Sequence, residues 1–110
     1  MPTFGIEEKP MHNDVYRYSF SPSLDMAEVE ATVMLAILAT ESLHGQSGVR
    51  LEMHHTFDAE KRSCVIDASN EVGRDLNRLF IGFISREFGH NNFKVERIAA
   101  VETESATPAA

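Results

Sequence analysis

The order in which strand-period and helix-period segments follow one another leaves this chain few ways to fold. VYRYSF alternates, with Tyr16, Tyr18 and Phe20 on one face and Val15, Arg17 and Ser19 on the other, the pattern of a half-buried strand. SPSLDMAEVE then presents Ser21 or Ser23 as an N-cap, Pro22 near the first turn, and Asp25 and Glu28 at the positive end of a helix dipole. The spacing predicts a helix to about His44, stopped by Gly45 in a left-handed C-cap. VRLEMHHTF alternates again, placing Val49, Leu51, Met53, His55 and Phe57 on one side and Arg50, Glu52, His54 and Thr56 on the other. DAEK is a tight connection to RSCVIDA, where Cys64, Ile66 and Ala68 share a face, so the two strands read as a hairpin. Ser69 or Asn70 caps a second helix over EVGRDLNRLFIGFISREF, with Val72, Leu76, Leu79, Phe80 and Phe83 at helical spacing and Gly89 at its end. FKVERI is a last strand.

Strand, helix, strand, strand, helix, strand is the ferredoxin-like βαββαβ arrangement, an α+β fold in which two helices cover one face of a four-stranded antiparallel sheet. The 110 residues suffice for one such domain, placed at 15–101. Residues 1–14 hold two prolines and no period and read as a flexible arm, with Phe4 and Ile6 able to dock on the body. The tail 102–110, ETESATPAA, is too poor in apolar surface to offset the entropy of ordering and is expected to be disordered.

Charge narrows the partners. Ten Lys and Arg against 17 Asp and Glu give a net charge of −7, which repels a phosphate backbone, so neither nucleic acid nor an anionic membrane is expected. No apolar run approaches the roughly 20 residues that span a bilayer, and MPTFGIEEKPMHND lacks the layout of a secretion signal. A single cysteine, Cys64, excludes an intramolecular disulfide and any cysteine-based zinc site within one chain. A reducing, cytoplasmic location is the resulting expectation.

The first helix is apolar on two sides. Val29, Val33, Ala36, Ile37 and Thr40 form one stripe, and Ala27, Ala31, Met34, Leu35 and Leu38 a second nearly opposite. One stripe suits the sheet, and the second helix covers only part of the other. A residual apolar strip of this kind marks an interface, so Ala31, Met34, Leu35 and Leu38 are the expected contact surface of a homo-oligomer, a dimer first, with a separate protein partner also open. The competing reading folds the N-terminal arm over the strip.

Side chains with chemistry are few. With a hairpin loop at 58–61, Phe57 faces Arg62, His55 faces Cys64, His54 faces Val65 and Glu52 faces Asp67. Strand one beside strand three brings Arg17 toward Asp67, so Arg17, Glu52, His54 and Asp67 form a cluster on the polar sheet face suited to a cation or small polar ligand. Neutralisation by Arg17, Arg50 and Lys94 in a solvated, idle surface is the plainer account. His54 and His55 point to opposite faces of a strand and make no metal pair. Cys64 beside His55 falls on the core face and reads as packing, not as a thiolate nucleophile. Arg74 and Arg78, four apart near the start of helix two, suit an anion, but Glu71 and Asp75 stand three residues before each and read as ion-pair partners.

No Walker or dinucleotide motif occurs. Of families with a comparable layout, copper chaperones need CxxC, RNA-recognition domains need exposed aromatics on the central strands, and acylphosphatases need a glycine-rich, arginine-containing loop before the first helix, all missing here. Pterin carbinolamine dehydratases carry paired histidines followed by proline after the first helix, where this chain has ESLHGQSG with His44 alone. No nucleophile, base and orienting group converge, and no metal or cofactor is expected. The sequence therefore predicts a non-enzymatic, self-associating interaction module, with a small-molecule binding domain at the polar sheet face or dimer interface as the alternative.

Overall fold

The computed structural model describes residues 14–98, so the arm bearing Phe4 and Ile6 and the tail 102–110 lie outside the described residues. The elements in order are β1 (Val15–Phe20), α1 (Met26–Glu52), β2 (His55–Asp58), β3 (Ser63–Asp67), α2 (Glu71–Phe88), a single 3₁₀ turn (His90–Asn92) and β4 (Phe93–Ile98). This is an α+β fold of one four-stranded antiparallel sheet and two helices, with strand order β2-β3-β1-β4. One core joins Tyr18 and Phe20 of β1, Cys64 and Ile66 of β3, Val29, Val33 and Ala36 of α1, and Leu76, Phe80 and Ile84 of α2. Both helices therefore share the same sheet face, while Arg17, Ser19, Lys94 and Glu96 are exposed on the other.

β1 has the expected bounds and facing, and it is central. Tyr18 is fully buried, lies edge-on to Phe80 with ring centroids 4.9 Å apart, and donates its hydroxyl proton to Asn77 Oδ1 at 2.5 Å. Burial above all, with smaller repulsions from Cys64 and Tyr16, raises its phenol pKa, so this group remains a donor.

α1 departs from expectation at both ends. Its N-cap is Asp25, whose carboxylate accepts from the Ala27 N–H at 2.9 Å; Ser21 and Ser23 instead bond each other in the preceding turn. Gly45 does break the helix, with φ 85° and ψ 156°, but the chain resumes helical turns to Glu52 instead of entering a strand. Val49 is buried while Leu51 is 76% exposed, so the alternation of VRLEM does not mark one strand face. A five-residue alternation satisfies a short helix as well as a strand, and here α1 closes at Met53, whose N–H reaches Val49 O at 3.0 Å.

The hairpin is correspondingly shorter and shifted by two residues. His55 pairs with Ile66, Thr56 with Val65, Phe57 with Cys64 and Asp58 with Ser63. The expected pairs His55–Cys64, His54–Val65, Phe57–Arg62 and Glu52–Asp67 do not form. Asp58 decides the register: its carboxylate accepts from Lys61 N at 3.1 Å, and Ala59 O accepts from Arg62 N at 3.2 Å, placing the turn at 59–62. A shift of two preserves facing, so Phe57, Cys64 and Ile66 still point to the core.

Arg62 closes that turn with φ 52°, the left-handed region. Its guanidinium donates to Ser21 O at 2.6 Å, to Leu24 O and to Phe20 O, tying the β1–α1 connection to the hairpin. α2 begins as expected at Asn70, whose side chain accepts from Gly73 N at 2.8 Å and donates to Glu52 O at 2.8 Å, joining the end of one helix to the start of the other. Gly73 passes so close to β3 that an added Cβ would stand 2.0 Å from Asp67 O.

Two stability predictions follow from these contacts. Gly73→Ala gains about 1 kcal/mol in helix propensity but must displace α2 from the backbone of β3, so chemical denaturation is expected to show a net loss of about 3 kcal/mol. Arg62→Ala removes charge-assisted bonds to three carbonyls and is expected to lower the unfolding free energy by about 2 kcal/mol, with Arg62→Lys restoring only part because an ammonium lacks the planar fork.

Candidate functional site

The four residues expected to gather on the polar sheet face are separated. Arg17 pairs across β4 with Glu96, guanidinium to carboxylate at 2.9 Å, both exposed, an arrangement usually contributing about 0.5 kcal/mol. It lies opposite Val65, not Asp67. Glu52 sits in the last turn of α1 with an exposed side chain. Asp67 is occupied locally: one carboxylate oxygen accepts from both the N–H and the hydroxyl of Ser69, shaping the turn into α2.

Only His54 and Asp67 of that set meet, in a broad depression of about 460 Å³ lined also by Met53, His55, Thr56 and Val65. Burial of part of its ring lowers the His55 pKa. The depression is open and its carboxylate already bonded, which leaves it without converging polar groups. Among the described residues no three His, Cys, Asp or Glu side chains come together as a metal-binding set. Cys64 is fully buried, paired with Phe57 and not with His55, and burial pushes its thiol up to about 12.

The second stripe of α1 behaves differently. Val29, Val33, Ala36 and Thr40 are buried, as is Thr32, while Met34, Leu35 and Leu38 are 51%, 53% and 56% exposed and Ala27 and Ala31 are exposed with them. Thr40 meets its hydroxyl requirement by donating to Ala36 O at 2.7 Å, so the buried stripe carries no unpaired hydroxyl there. The exposed strip runs diametrically opposite, bordered by Glu28, Glu30 and Glu41. α1 and α2 lie antiparallel: His44 meets Asp75 near one end, and Thr32 and Leu35 share a shallow groove with Glu87 near the other. Ile81 of α2 is also exposed.

A polar network that sequence reasoning missed joins the helices. His44 Nε2 stands 2.8 Å from Asp75 Oδ2, both largely buried, and Asp75 Oδ1 is 3.7 Å from Arg78. The expected Arg78–Asp75 pair is thus present but loose, and no Glu71 contact to Arg74 occurs among the described residues. The only sequence sign of this network was a histidine immediately before the helix-breaking Gly45; its partner is 31 residues away, beyond local pattern.

No family model, curated protein or solved structure matches the chain. Among the described residues no helix is long and apolar enough to cross a membrane.

A packing role for Cys64 is directly testable. A thiol fully enclosed between strands and helices is expected to resist a neutral-pH disulfide reagent until the chain unfolds, reacting at least about a hundredfold faster in denaturant; rapid labelling of the native protein would contradict this.

Proposed function

We propose that the chain is a ferredoxin-like interaction or assembly module, without catalytic activity of its own, that pairs with a second copy of itself through α1. The supporting observation is the exposed strip of Met34, Leu35 and Leu38, three large apolar side chains each more than half in solvent on the outer side of a helix whose inner side is already filled. A reducing, cytoplasmic setting belongs to the same reading, with the lone cysteine kept as a buried thiol.

Spacing favours a copy of this chain as the occupant. Ala27, Ala31, Met34 and Leu38 recur at intervals of four, three and four, the seam of two packed helices. If two copies of α1 cross antiparallel about an axis between residues 32 and 33, Ala27 meets Leu38 and Ala31 meets Met34. Small then faces large along the whole seam, the self-complementarity that a two-fold interface requires.

The magnitude fits a dynamic dimer. Covering the exposed half of each of three side chains contributes about 1 kcal/mol apiece, or about 6 kcal/mol over both protomers, comparable to the cost of association itself. Flanking acids and the net charge of −7 add repulsion that salt screens. The species should therefore dissociate on dilution and associate more strongly as salt rises from a few millimolar to physiological strength.

Sedimentation velocity over a concentration series tests the reading. A dimer of 12.3 kDa chains is expected at high concentration, and Leu38→Glu should give a monomer with an unchanged circular dichroism spectrum. A wild-type chain that stays monomeric throughout, with Leu38→Glu without effect, would overturn it and favour coverage of the strip by the chain's own arm.

A further inference from the structure

A cleft of about 210 Å³ opens where β1 meets the first turns of α2, lined by Asp14, Tyr16, Ala68, Arg74, Asn77 and Arg78. Its one lining carboxylate, Asp14, is already engaged, as is Asp75 beside Arg78. Asp14 Oδ1 lies 3.3 Å from Arg97, the cross-strand partner of Tyr16, and Asp75 Oδ2 lies 2.8 Å from His44. Two guanidiniums, Arg74 and Arg78, thus line a space whose one lining carboxylate, Asp14, is held by Arg97, in a chain whose overall charge is −7. Arg74 has no ion-pair partner among the described residues, and Arg78 has only the 3.7 Å approach to Asp75.

Asn77 sets the polarity of the cleft from inside. The buried Tyr18 hydroxyl is a donor, so the oxygen it meets at 2.5 Å must be the carbonyl of Asn77. That contact fixes the amide and leaves its Nδ2 without a hydrogen-bond partner among the described residues, on a residue that lines the cleft between two arginines one helical turn apart on α2. The positive end of α2 adds to the same field, since Arg74 belongs to its first turns.

We infer that this cleft binds a small oxyanion, a phosphate monoester or a carboxylate, held between Arg74 and Arg78 with the Asn77 amide as a further donor and Tyr16 as an apolar wall. The two guanidiniums supply charge-assisted bonds, and the fixed amide supplies direction. Glu71, exposed one turn before Arg74, is the same-helix charge that opposes an anion there. The inference is independent of self-association, since the cleft lies at the β1 side of α2 and the apolar strip on the outer side of α1.

The test uses the full chain at low ionic strength, titrated separately with inorganic phosphate and with acetate, and followed by the side-chain amide resonance of Asn77 and by calorimetry. Saturable binding of phosphate with a shifted Asn77 amide is expected. Arg74→Gln or Arg78→Gln should each weaken it by at least about tenfold, while Arg86→Gln, on the same helix but outside the cleft, should change it less than about twofold. Phosphate alone binding would assign a phosphate monoester, and both anions binding would assign the wider oxyanion class. Absence of saturation, a silent Asn77 amide, or equal weakening by Arg86→Gln would overturn the inference, the last because it would reduce the effect to general charge.

Discussion

The contact between Tyr18 and Asn77 is the constraint on which the arrangement of this molecule depends. A tyrosine wholly buried at the centre of a sheet must find a partner for its hydroxyl, because an unpaired one costs on the order of 1–3 kcal/mol. Asn77 of α2 meets that need, and Phe80, one turn on, packs edge-to-face against the same ring. Together they set the rotation of α2 about its axis. Leu76, Phe80 and Ile84 then point inward, and Arg74 and Arg78 are left toward the cleft beside β1.

The rest of α2 is pinned by close approach at Gly73 and by the two-way bonding of Asn70, which also fastens the end of α1. With α2 so placed, α1 can fill the remaining sheet face only with Val29, Val33, Ala36 and Thr40. Its opposite stripe has no sheet to cover, and the His44–Asp75 contact holds the two helices side by side instead of letting α1 roll that stripe inward. The outward strip is thus a consequence of packing two helices on a four-stranded sheet when one helix is apolar on two sides.

Much of the fold was legible in the chain because its signals are local. β1, β3, α2 and β4 were readable from alternation or helical spacing bounded by caps, and Gly45 marks the break in α1 and Gly89 the end of α2 by a conformation that side-chain-bearing residues rarely adopt. VRLEM was misleading because five alternating residues fit either period, and the helical turns after Gly45 took them. The hairpin register followed from Asp58 serving as the turn acceptor, a two-residue displacement that alternation cannot detect because facing is unchanged. The supposed polar-face cluster depended on that register and on Glu52 lying in a strand, so it dispersed with them, leaving His54 and Asp67 as neighbours.

By itself the sequence determined the order of the elements, the inward face of β1 and β3, the burial of Cys64 and the two-sided character of α1, since these are set by side-chain period and by backbone preference within a few residues. Only the tertiary structure decided that Arg62 ties the β1–α1 turn to the hairpin, and that His44 of α1 joins the Asp75–Arg78 pair. It also decided that Asn77, held by Tyr18, lines a cleft with two arginines. Those outcomes rest on contacts between residues tens of positions apart, whose geometry depends on how two helices settle on one sheet and has no imprint on local spacing.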